Sequence, residues 1–134
     1  MRDTLRMLRT NVAIENPLRP GGRAELPDTL VDTDALLSWA PRQVLEDLGV
    51  VARKQARFTK PDGTEFARDI GFVILWVGGR ETADEVVFGE PGDLTLLGAH
   101  SLHGLNLKVD LVGKRLVPGG PMLAAPADSE LIAA

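Results

Sequence analysis

The 134-residue chain has no cysteine, which excludes disulfides, zinc-thiolate centres and thiol nucleophiles but leaves the redox compartment open. It also lacks a basic run. Apart from Arg53, Lys54 and Arg57 the cations are scattered, and the formal net charge is −4, so the electrostatic footprint of a nucleic-acid binder is missing. No nucleic-acid partner is expected. Long apolar runs are absent too: Met1 to Val12 alternates charged and apolar residues without the apolar core of a signal peptide, and no later stretch reaches membrane-spanning length. The expectation is a cytoplasmic protein of bacterial type with no membrane partner. At this length the chain suits one domain with a real core.

What is present reads mostly as strand. Apolar runs are short, rich in valine and separated by turn residues, the pattern of an all-β protein. Val12 to Ile14 reads as a strand, Asn16 to Gly22 as a loop, and Ala24 to Val31 as a strand that delivers Asp32 to its end, irregular or at an edge because of Pro27. Pro41 to Leu48 reads as a short helix stopped by Gly49. "FTKPDGTEF" reads as a projecting hairpin turned at Asp62-Gly63, and "DIGFVILWVGGRETADEVVFG" as a core hairpin turned at Gly78-Gly79. Leu94 to Leu97 is a further buried strand, Gly98 to Gly104 makes one or two helical turns, and "LNLKVDLVGKRLVP" closes as a hairpin about Gly113.

Two motifs sit on this frame. The first is "TLVDTDALLSWAPRQVLEDLGV", an apolar strand ending on Asp32-Thr33-Asp34-Ala35 and followed by a helix with a Leu-Gly end. The second is "LTLLGAHSLHGLNLKVD", in which Leu96 and Leu97 precede Gly98 and a helix. In this order and with a glycine-tipped hairpin between them, they resemble the retroviral-type (retropepsin-like) aspartic proteases, the single-domain homodimeric members of the pepsin-like clan. The resemblance covers Val12 to Pro118. It implies a small retropepsin-like β-barrel with one or two short helices and a protease domain over residues 1–118; the tail over 119–134 lacks periodicity and reads as loosely ordered, while the resemblance gives it the alternative of joining the dimer through "ADSELIAA".

The resemblance also implies a chemistry. Peptide hydrolysis by this mechanism needs two carboxyl groups in one small site, one to take the proton of water and one to donate to the carbonyl oxygen. A twofold dimer would supply them as Asp32 of both subunits, a coupled pair. Thr33 matches the residue that bonds across the axis, Leu97 and Gly98 support the loop, and Asp62, Gly63 and Thr64 form a flap over a polypeptide substrate. No cofactor and no metal are implied. The departure is Asp34, where the family usually has glycine; an aspartate adds bulk and charge beside the dyad and gives the alternative of an impaired homodimer that binds extended peptides without cutting them. A cation held by Asp32 and Asp34 of both chains is a third alternative. The plain reading of Asp-Thr-Asp is a capped turn.

Other residues carry bland readings. His100 and His103 share a helical face but have no evident further ligand, and partly exposed histidines are expected. Trp39 and Trp76 read as core or subunit-contact residues, with Trp39 near enough to Asp32 in sequence to line a side-chain pocket. Ser38 and Ser101 lack a nucleophile elbow and read as solvent-facing or capping. "EDLG" and "GEPGD" read as a solvated helix face and a turn.

Overall fold

A computed structural model describes residues 8–125; residues 1–7 and 126–134, including "ADSELIAA", lie outside the described residues. The chain runs through β1 (Arg9–Glu15), β2 (Arg23–Asp32), β3 (Ser38–Pro41), α1 (Arg42–Asp47), β4 (Lys54–Thr59), β5 (Glu65–Val77), β6 (Arg80–Gly89), β7 (Leu96–Gly98), α2 (Ala99–Gly104), β8 (Leu107–Asp110) and β9 (Arg115–Pro118). The main sheet has the order β1-β2-β7-β3-β6-β5-β4, and β1 pairs again with β5. That second pairing closes β1, β2, β7, β3, β6 and β5 into a barrel with β4 outside it, so the ring has no free edge. The fold is the expected all-β barrel with two short helices. The β8–β9 hairpin stands apart as a two-stranded sheet.

The strands form where side chains alternate. Along β5, Val73, Leu75 and Val77 are buried while Ile74 and Trp76 between them are half-buried and Phe72, just before them, is 44% exposed, the period-two signature of a sheet with one face in the core. β5 is also one continuous strand of 13 residues. Its first part pairs with β4 and its second with β6, so the two hairpins read separately in the sequence share a strand. At the tip of the β4–β5 hairpin Lys60 N–H reaches Thr64 O and Gly63 N–H reaches Lys60 O; within this turn only Gly63, at φ +90°, takes the left-handed conformation. The turn is therefore wider than a two-residue Asp-Gly turn.

Beneath the sheet, Ile14, Val31, Leu45, Val86, Phe88 and Leu97 form the most buried part of the core. Each such side chain contributes about 1.5–3 kcal/mol by leaving water. α1 begins directly after Pro41 and buries Leu45. Among the described residues the buried side-chain polar atoms are satisfied: the Glu15 carboxylate accepts from Gly21 N–H and Trp76 Nε1–H, which hold it below its ordinary pKa despite burial. Trp76 is thus half-buried with its indole N–H bonded, and Arg23 lies 3.6 Å above its ring.

The "GEPGD" turn is more than solvated. Arg68 grips Asp93 through two bonds of 2.7 and 3.0 Å, and Arg42 joins Asp69 and Glu90, each at 2.7 Å. These pairs tie the segment after β6 to the stem of the β4–β5 hairpin. Arg68 holds the Asp93 carboxyl below its ordinary 3.8, and Arg42, with Gln55, does the same for Asp69. A carboxyl depressed in the folded state stabilises the fold above its unfolded pKa, and that contribution is lost as pH falls through the folded value. The melting temperature should therefore drop as pH is lowered from about 5 through the carboxylate range. Asp93→Asn should cost about 1–2 kcal/mol at neutral pH yet flatten the acid limb. Thermal melts from pH 7 to 2 test this, and an equally steep limb in the variant would remove Asp93 from the account.

Candidate active site

The site is built where the sheet is threaded. β2 ends at Asp32, the chain loops through residues 33–37 and re-enters as β3, and the three-residue β7 fills the gap between those two strands. β7 runs parallel to β2, with Leu30↔Leu96, Val31↔Leu97 and Asp32↔Gly98 in register, and meets β3 at Trp39↔Leu96. By the pleat, Val31 and Leu97 point into the core, both 1% exposed, while Leu30, Asp32, Leu96 and Trp39 share the opposite face. Asp32 is 6% exposed there.

The loop is held by backbone bonds rather than by bulk. Asp34 N–H donates to Asp32 Oδ1 at 3.0 Å, and Ala35 N–H to Asp32 O at 3.2 Å, an arrangement that turns the chain and orients the carboxylate together. Two amides from the first turn of α2 then reach back: Ala99 N–H to Ala35 O at 2.8 Å and His100 N–H to Leu36 O at 2.9 Å. Gly98 is required by space, since its φ is −93°. A Cβ there would lie 2.5 Å from Leu37 O and 3.0 Å from Ala35 O, distances at which the backbone itself would have to move.

The structure thus brings Asp32, Thr33, Asp34, Ala35, Leu97 and Gly98 together, as the two motifs predict. Thr33 and Ala35 are half-buried and Asp34 is exposed. Among the described residues the non-glycine positions with positive φ are Asp28, Asn106 and Lys114, so Asp34 occupies an ordinary backbone conformation in which a side chain costs no strain. Its amide keeps the bond to the carboxylate that a glycine amide would make.

Asp62, Gly63 and Thr64 sit apart, exposed at the tip of the β4–β5 hairpin. Thr64 N–H donates to Asp62 Oδ1 and holds that carboxyl below its ordinary value. What joins the hairpin to the site is its stem. Phe58 and Phe66, directly opposite each other across the strands, stack at 5.8 Å, and Trp39 meets Phe58 at 4.9 Å between centroids. The hairpin therefore packs onto the sheet face that carries Asp32. Concavities of 390 Å³ and 310 Å³ lie on either side of Leu94 and Thr95, the second lined also by Leu30 and Arg9.

Sequence reasoning missed Asp84 and misplaced two serines. Ser38 and Ser101 are buried and bonded to each other, and Asp84 binds both Ser101 and the half-exposed His100. Neither serine faces solvent, contrary to expectation, and a carboxylate does stand beside His100. The serine is no nucleophile, because Ser101 and His100 address the same carboxylate instead of each other. A signal was available: Asp84, Val86 and Phe88 alternate along β6, and the last two are plainly core residues. Among the described residues no group of histidines and acids is arranged to hold a metal ion, and no helix is long and apolar enough to cross a membrane.

No family model matches the chain, and neither does any curated protein. Among solved structures, the solution structure of simian foamy virus (mac) protease is similar at 21% identity and a TM-score of 0.49, over 71% of this chain and 91% of that one.

The close approach at Gly98 gives a sharp test. Gly98→Ala should cost at least about 2–3 kcal/mol, as overpacking against immovable backbone does, whereas Gly79→Ala, with nothing within 4 Å of its Cβ, should change stability by less than about 0.5 kcal/mol. Denaturant titration of both variants decides it; equal small effects would mean that β7 is not locked to the loop.

Proposed function

We propose that this chain is a homodimeric aspartic endopeptidase of the retropepsin-like type, in which Asp32 of two copies forms the catalytic dyad. The observation that carries the reading is the setting of Asp32: a carboxylate nearly sealed from solvent at a strand end, in register with Gly98, and oriented by the Asp34 amide. A buried acid so constrained has the character of a working group more than of a cap. One such loop per chain supplies half of a two-carboxyl site, and a twofold axis supplies the other half with the same surface.

In the dimer the two carboxyl groups share a proton. The ionised one takes a proton from a water molecule, whose oxygen attacks the peptide carbonyl carbon; the protonated one donates to the carbonyl oxygen, giving a tetrahedral diol. Return of a proton to the amide nitrogen as the C–N bond breaks releases the amine and the new carboxylic acid. Thr33 bonds across the axis and fixes the two loops. The substrate is an extended polypeptide lying between the loops and the hairpin, with Asp62, Gly63 and Thr64 as the flap and Trp39, Phe58 and Phe66 at its root. The ordinary backbone of Asp34 and its retained amide bond favour turnover over the non-cutting alternative.

The test is cleavage of denatured casein from acid to neutral pH, with sedimentation to establish the dimer. Asp32→Asn should fold and dimerise normally but lose roughly 10³-fold or more of the rate. Retained cleavage by this variant would sink the mechanism. A folded dimer of the native chain that cuts nothing at any pH would instead leave a peptide-binding module. Asp34→Gly should alter kcat/KM by less than about tenfold, around 1.4 kcal/mol, because the backbone at that position already serves the carboxylate.

A further inference from the structure

The buried chain of hydroxyls beneath the loop has no part in the proposed chemistry, and its geometry is closed. Gly98 N–H donates to Ser38 Oγ at 2.9 Å, Ser38 and Ser101 Oγ are 2.6 Å apart, and Ser101 Oγ donates to Asp84 Oδ2 at 2.7 Å. Each hydroxyl has one proton. Since Ser101 spends its proton on Asp84, Ser38 must donate to Ser101, and its oxygen is left to accept from Gly98. The direction of every bond is therefore fixed, from the backbone of β7 outward to Asp84. The carboxylate end is anchored further by Glu85 N–H at 2.7 Å and by His100 Nδ1 at 2.7 Å. Ser101 is 0% and Ser38 2% exposed, and the Asp84 side chain is 2% exposed.

We infer that Asp84, Ser101 and Ser38 are positioning residues for the Asp32 loop, acting through Gly98 and the first turn of α2. The chain joins the three places that define the loop: Ser38, where it re-enters the sheet; Gly98, which lies in register with Asp32; and α2, whose Ala99 and His100 amides hold Ala35 O and Leu36 O. Asp84 on β6 is the fixed point to which all three are tied. A buried carboxylate is expensive to desolvate, and here several donors offset that cost. Removing one link leaves a buried donor or acceptor without its partner and frees the loop to shift, and misplacement by about 1 Å is enough to slow a reaction about a hundredfold. His100, more than half exposed, steadies the outer end and bears less of the load.

The inference uses the protease reading for its kinetic arm only, so the experiment has two arms. Hydrogen-exchange mass spectrometry compares the native chain, in whatever oligomeric state it takes, with Ser101→Ala, Asp84→Asn, Ser38→Thr and, as a control on the same helix, His103→Ala. Ser101→Ala and Asp84→Asn should speed exchange of the amides in residues 32–38 about tenfold more than those of β5, while Ser38→Thr keeps the hydroxyl and the native pattern. In the casein assay the same two variants should lose about tenfold or more in kcat at little-changed KM, with His100→Ala losing less. Exchange that rises evenly through the barrel, or a loop as protected as in the native chain, would overturn the inference by showing that the chain only stabilises the fold. If the native protein cuts no substrate, the protease reading fails while the exchange arm still decides whether these residues hold the loop.

Discussion

The structure depends on one close approach of backbone to backbone. β7 is only three residues long, yet it completes the sheet between β2 and β3, and it fits because Gly98 carries no side chain where the carbonyls of Leu37 and Ala35 converge. Those carbonyls belong to the loop that starts at Asp32. Continuity of the barrel and placement of the carboxylate are therefore a single constraint. Without β7, β2 and β3 would present unpaired edges, and the loop would lose the α2 amides that hold it.

Two kinds of polar interaction are layered around this point. Inside, Ser38, Ser101 and Asp84 form a directed chain in which each proton is used once, which gives the loop one arrangement where plain apolar packing would tolerate several. Outside, Arg42 and Arg68 bind Asp69, Glu90 and Asp93 and tie the hairpin stem to the segment after β6. The outer pairs are only partly buried, so their contribution is modest and falls with salt. They also set a chemical tension. The rim stabilises the fold through carboxylates that are ionised, whereas the proposed reaction needs one carboxyl of the dyad protonated. The two sets stand apart in the fold, the arginine-paired carboxylates at the rim and Asp32 at the end of β2.

Much of this could be read from residue patterns. Strands showed as period-two alternation, turns as Asp-Gly and Gly-Gly, and the first helix as proline followed by Val44, Leu45 and Leu48. The pairing of Asp32-Thr33-Asp34 with Leu96-Leu97-Gly98 was legible as two motifs in order. Less visible were β3, four residues containing tryptophan and proline that give too short a pattern to register, and the continuity of β5 through two hairpins. The serines were misjudged because a hydroxyl is small and compatible with either surface or core; only its partners decide.

The sequence by itself determined the all-β class, the place where a strand ends on a carboxylate, and the turn positions, because alternation, glycine conformation and proline geometry act over a few neighbouring residues. Tertiary structure alone decided that β7 runs parallel to β2, that Gly98 faces Asp32, that Asp84 receives Ser101 and His100, and that Arg42 and Arg68 reach the turn after β6. Each of these joins residues between 16 and 48 positions apart in hydrogen bonds, or strands distant in the chain in register. Such contacts depend on how the barrel closes, and no local pattern records which of several buried or charged groups will meet when it does.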